Sequence, residues 1–162
     1  MSAKDQYLAT AGRELATTVR VLKAYPPAKA DLRPHAKSKT ARELVGAFLF
    51  DTHAGEQVLN GAIEFEKIPQ TGAATLSEMI SSYETLTGKL LERVRRTADG
   101  DLDQKIKFHT GPRQTADVPK LDVLWFVLLD SIHHRGQFSV YLRMADGKVP
   151  SIYGPTADEP WR

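Results

Sequence analysis

The 162-residue chain contains no cysteine, which removes thiolate catalysis, thiolate zinc sites, iron–sulfur clusters and disulfide scaffolds together. Any metal ion must therefore be held by histidine, aspartate or glutamate. An excess of either charge is also missing, since 22 Lys+Arg stand against 20 Asp+Glu. Nucleic-acid surfaces gather basic residues on one face and interleave them with stacking aromatics. Here Lys37, Lys39 and Arg42 lie in and beside a loop, while Arg93, Arg95 and Arg96 close a helix whose C-terminal dipole favours cations. Neither group interleaves aromatics, and nucleic acid is not an expected partner.

Long apolar runs are absent as well. The longest, from about Leu44 to Phe50, falls far short of the roughly 18 residues needed to span a bilayer. The opening Met1-Ser2-Ala3-Lys4-Asp5 lacks the apolar core of a signal peptide. A cytoplasmic protein with no membrane association is expected, built as one domain over residues 1–162. Gly-x-Ser-x-Gly, Gly-x-Gly-x-x-Gly, Gly-x4-Gly-Lys-Ser/Thr and His-Glu-x-x-His do not occur, which excludes the usual serine-hydrolase, phosphate-loop and zincin signatures.

What is present is helical periodicity. Leu8, Ala11, Leu15, Val19 and Leu22 recur at three- and four-residue steps over about Asp5 to Leu22, ending near Tyr25-Pro26-Pro27. Thr40-Ala41-Arg42-Glu43 is a capping box, opening a second helix that ends around Asn60-Gly61. Thr75-Leu76-Ser77-Glu78 is another, opening a third helix that stops before Asp99-Gly100. The polar stretch from about Asp101 to Thr115 reads as a loop or short hairpin. A last and longest helix covers about Val118 to Ala145, with Pro119 in its first turn. No segment shows sustained strand alternation. The expected fold is all-α, a four-helix bundle with long crossover loops, and the tail around Val149 to Pro155 is apolar enough to pack back on it.

With the other motifs gone, chemistry rests on histidine placement. Residues four apart on a helix lie about 40° from each other, so Asp130, His134 and Phe138 form one line on the last helix, and the first two can grip one ion. His53 follows Val45 and Leu49 on the second helix and points toward the core. Two imidazoles and one carboxylate, His53, Asp130 and His134, make an open three-ligand set that leaves room for water or substrate. Hydrogen-bonded core histidines and a carboxylate bonded to a neighbouring helix are the competing reading. Glu56, three residues after His53, and His133, beside His134, are the candidates for proton transfer or for supporting a ligand from behind. The chain has no Glu-x-x-His, so a di-iron bundle site is not expected.

From Asp130-Ser131-Ile132-His133-His134-Arg135-Gly136-Gln137, through Val140-Tyr141-Leu142-Arg143, to Val149-Pro150-Ser151-Ile152-Tyr153-Gly154-Pro155, the chain resembles the DinB/YfiT-like family of metal-dependent bundle proteins. Lys37-Ser38-Lys39-Thr40-Ala41-Arg42-Glu43-Leu44 followed by His53 resembles that family's second-helix motif. The resemblance implies a four-helix bundle with long crossovers, a homodimer, and metal-assisted chemistry on a small-molecule substrate. A low-molecular-weight thiol serves as cofactor in similar transferases and isomerases. It also implies that His53 and His134 correspond to two of three histidine ligands, with Asp130 in place of the third. Carboxylate for imidazole hardens such a site. The expectation is an enzyme dependent on a divalent ion, with zinc, nickel and iron all compatible and hydrolysis, S-transfer or isomerisation as its reaction. Its rival is a non-catalytic stress-related or assembly bundle whose degenerate site only fixes helix register.

Overall fold

Three of the helices open with the same device. The structure, a computed structural model describing residues 1–161, begins with α1 (Ala3–Lys23), where the Ser2 hydroxyl accepts from the Asp5 amide and the Asp5 carboxylate accepts from the Ser2 amide. Thr40 and Glu43 repeat the exchange at α2 (Ala41–Asn60), and Thr75 and Glu78 at α3 (Leu76–Arg96). Each box satisfies two amides that the first helical turn leaves without partners. Gly61 ends α2 with φ +98°, a left-handed conformation that glycine adopts without a Cβ penalty. Thr40 is 6% exposed, so its cap cannot be replaced by water. Thr40→Ala is expected to cost about 1 kcal/mol and to lower the melting temperature by about 2–4 °C, read by thermal circular dichroism.

The predicted loop or hairpin after α3 is a short helix, α4 (Asp99–Leu102), and an antiparallel hairpin, β1 (Lys105–Gly111) with β2 (Gln114–Pro119). Ile106 pairs with Val118 and is buried, and Phe108 leans on Phe126 with ring centroids 5.1 Å apart. Val118 and Pro119, read from sequence as the first turn of the last helix, belong to β2 instead. Helix α5 runs Lys120–Met144. Proline is tolerated at a strand end whose amide is not needed by the ladder.

Around the bundle, α1 and α2 occupy opposite corners, and each packs against both α3 and α5. The chain therefore crosses diagonally between α1 and α2 and again between α3 and α5, which accounts for the long connections at residues 24–40 and 97–119. The first crossover is ordered by a three-residue 3-10 turn at Pro27–Lys29 and by backbone bonds from Ala41 to Leu32 and Arg42 to Ala30. The core runs through Tyr7, Leu22, Phe48, Tyr83, Leu124 and Phe138. No helix among the described residues is long and apolar enough to cross a membrane.

One buried ion pair ties α1 to α5. Arg135, 1% exposed, donates to the Glu14 carboxylate at 2.7 Å and to the Glu14 carbonyl at 2.9 Å. The tail closes over this pair as its apolar composition predicts: the Tyr153 hydroxyl lies 2.6 Å from both Arg135 and Glu14, and Asp158 pairs with Arg143 at 2.6 Å. Burial pushes the Glu14 carboxyl up, but the Tyr153 and Arg135 hydrogen bonds outweigh it and hold the group below its ordinary value.

Candidate metal centre

Helix α2 buries two stripes, and they face different partners. Leu44, Phe48, Asp51, Gly55 and Val58 recur at three- and four-residue steps and are buried or close-packed. The ring of Phe48 meets His134 and Phe138 of α5 and Tyr83 of α3, placing this stripe in the bundle core, where α5 is one of its two neighbours. Leu49 and His53 lie on the other, lining a cavity of about 230 Å³ with Met79, Ser82 and Leu86 of α3 and with Pro69. Asp51 and His53 are two residues apart, about 200° around the helix.

Facing Asp51 on α5 are Asp130 and His134, one turn apart. One ligand atom from each of the three side chains lies within 4.8 Å of the other two. His134 Nε2 is 3.6 Å from Asp130 Oδ2. The structure thus joins Asp130 and His134, as their spacing predicts, but with Asp51 as the third member. His53 stands outside this group, on the face of α2 that meets α3. Burial lowers the pKa of His53, which keeps the imidazole neutral in its own cavity.

Asp51 is the most constrained of the three. It is 8% exposed, and its Oδ2 has no hydrogen-bond partner although it is fully enclosed. Burial first, and the Asp130 carboxylate second, push its pKa up to about 8. Natural interiors seldom leave a buried carboxylate oxygen unpaired, because desolvation is uncompensated. Its surroundings also include the Tyr83 hydroxyl, 3.2 Å from Ser131 and pushed up to about 12 by burial. Two carboxylates and a neutral imidazole balance a divalent charge and offer hard oxygen with borderline nitrogen, a set that fits zinc, iron(II) or manganese. The residues present therefore fit a divalent ion.

Gln137 fixes how His134 meets this group. Its side-chain oxygen lies 3.1 Å from His134 Nδ1 and its amide nitrogen 3.1 Å from His133 Nε2. An amide oxygen only accepts, so Nδ1 is the donor in this contact and Nε2 is the ring nitrogen that faces Asp130. His133, exposed and joined to His134 through Gln137, sits one hydrogen bond outside the group. Glu56, the other sequence candidate, pairs with Arg93 of α3 at 2.6 Å. It serves the α2–α3 contact.

Sequence reasoning missed Asp51 because it sought histidine on α2 and followed the stripe of Val45 and Leu49. The signal was present: an acid at step three from Phe48 and step seven from Leu44 lies on an equally apolar line.

A diagonal four-helix bundle with a buried acidic group and a histidine between two of its helices defines the class: helical bundles with a candidate metal centre. The chain belongs to the DinB family, which it matches over residues 1–161. Among solved structures it is similar to the DinB-like protein YjoA of Bacillus subtilis, with TM-score 0.75 and 20% identity over 91% of this chain and 97% of that one. A DinB-like protein of Bacillus cereus gives TM-score 0.67 at 18% identity, covering 92% and 97%. YfiT of Bacillus subtilis, described as a probable metal-dependent hydrolase with an unusual four-helix bundle topology, gives 0.60 at 13% identity, covering 86% and 87%. A 42-residue stretch is 43% identical to the uncharacterized protein YrdA of Bacillus subtilis; it spans 26% of this chain and 25% of that protein.

Proposed function

We propose that this protein is a divalent-metal-dependent enzyme acting on a small molecule, with the ion held by Asp51, Asp130 and His134. The observation that carries the reading is Asp51 Oδ2, buried without a hydrogen-bond partner and directed into a group with a second carboxylate and an oriented imidazole. When bound, such an ion acts as a Lewis acid that lowers the pKa of water or of an incoming thiol, supplying the nucleophile that a chain without cysteine lacks. Hydrolysis, or transfer to a low-molecular-weight thiol, follows from that chemistry, and the description of YfiT supports the hydrolytic form.

The chain's own residues have distinct tasks. Asp51 and Asp130 supply carboxylates from two neighbouring helices, so the α2–α5 packing sets the width of the site. Gln137 holds His134 in the tautomer that leaves Nε2 free. His133 stands at the exposed edge, where an imidazole can pass a proton to or from solvent. Gln137→Leu is expected to weaken metal affinity about 10- to 100-fold while the helical spectrum is kept, measured by calorimetric titration of metal-stripped protein.

The reading is tested by titrating metal-stripped protein with zinc and with manganese. One ion per chain is expected, lost in His134→Ala and retained in His53→Ala. Undiminished binding in His134→Ala would overturn the assignment.

A further inference from the structure

Beside His134 opens a cavity of about 410 Å³, lined by Lys37, Lys39, Leu44, Gln137 and Tyr141 among others. We propose that this cavity receives a small organic anion, whose acid group is held by Lys37 and Lys39 while its other end reaches the Asp51–Asp130–His134 group. The inference rests on the reading of that group as the reaction centre and adds the class of its substrate.

Three observations support it. First, His134 belongs to both the cavity lining and the candidate centre, and Gln137, its hydrogen-bond partner, lines the cavity beside it. The volume of the cavity falls within the range of small-molecule sites. Second, its charge has one sign. Lys37 and Lys39, like most lysines of the chain, form no ion pair among the described residues, and they are the two that line this cavity. The acid near this loop, Glu43, is turned into the helix cap, where its carboxylate accepts from the Thr40 amide at 2.7 Å. The Thr40 hydrogen bond first, with Arg33 and Lys39 adding to it, holds that carboxyl below its ordinary value.

Third, the lysines stand on ordered backbone. The Tyr141 hydroxyl donates to the Lys39 carbonyl at 2.8 Å, the Ser38 amide to the His35 carbonyl at 2.9 Å, and the Lys37 amide to His35 Nδ1 at 3.1 Å. A fixed loop loses less entropy on binding than a mobile one. Leu44 and Val140 add apolar surface to the lining. The arrangement suits an anionic head, a short apolar body and a reacting end.

The test is calorimetric titration of the full chain, loaded with zinc and checked for metal content, with benzoate, phenyl phosphate and the neutral benzyl alcohol. The two acids are expected to bind more tightly than the alcohol and to weaken as salt is raised. The double variant Lys37→Gln/Lys39→Gln is expected to lose about tenfold in affinity for the acids with metal content unchanged. Both lysines are exposed, so the variant folds as the parent does.

Equal affinity for acids and alcohol would overturn the proposal. So would undiminished binding in the double variant, or no binding of either acid to zinc-loaded protein. Protein that takes up no zinc yet binds the acids through the lysines would refute the metal centre and leave the anion site standing.

Discussion

Glu14→Gln is expected to destabilise the protein by about 3–5 kcal/mol, the cost of leaving one partner of a buried ion pair without the other. Arg135 is 1% exposed and directs its guanidinium at Glu14, Thr18 and Tyr153. An amide in place of the carboxylate removes the charge without giving the guanidinium a route to water. The double variant Glu14→Leu/Arg135→Met is expected to recover most of the loss, because it removes both desolvation penalties. Urea unfolding of the parent, of Glu14→Leu and Arg135→Met alone and of the double variant measures the coupling directly.

The same pair makes stability depend on acid. In the folded chain the Glu14 carboxyl is held below its ordinary value of 4.5, so the folded state binds its proton less readily than the unfolded state. The stabilisation is complete above that value and is lost as pH falls through the folded one. Melting temperatures measured from pH 6 downward are expected to fall more steeply in the parent than in Glu14→Gln once pH drops below about 4.5. Parallel curves would show that Glu14 does not carry the effect.

Asp51→Asn carries the second large effect, with a sign that separates function from structure. Metal affinity is expected to fall by at least about 100-fold, as an outer partner alone can cost that much. The stability of the metal-free protein is expected to hold or to rise, since the amide removes a carboxyl whose ionised form burial and the neighbouring Asp130 both disfavour. A residue kept for packing or register would show the reverse: metal content unchanged and melting temperature lowered. Thermal melts of stripped and loaded protein, run side by side, distinguish the two.

How much of this could be read in the sequence follows from the range of the interactions. The capping boxes at Thr40 and Thr75 and the glycine stop at Gly61 involve residues within a few positions of each other, and they lie where the sequence places them. The pairing of Asp130 with His134 is likewise a one-turn relation. The hairpin was harder to see, because only Ile106 and Phe108 alternate and β2 is largely polar and exposed. What escaped entirely was set by long-range packing. Glu14 meets Arg135 across 121 positions, and Asp51 becomes the third member of its group because α2 presents that face, not the face of His53, to α5. A periodic pattern shows that a face is buried without showing which neighbour it is buried against.

The proposed ion lies between Asp51, Asp130 and His134. The most direct test of that placement is an anomalous difference map from crystals of untagged protein grown with zinc, recorded on both sides of the metal absorption edge. A single strong peak is expected within coordination distance of Asp51 Oδ2, an Asp130 oxygen and His134 Nε2, with the Gln137 oxygen on the far nitrogen of the ring. A peak on His53 instead, or an ordered water alone bonded to Asp51 Oδ2, would contradict that placement.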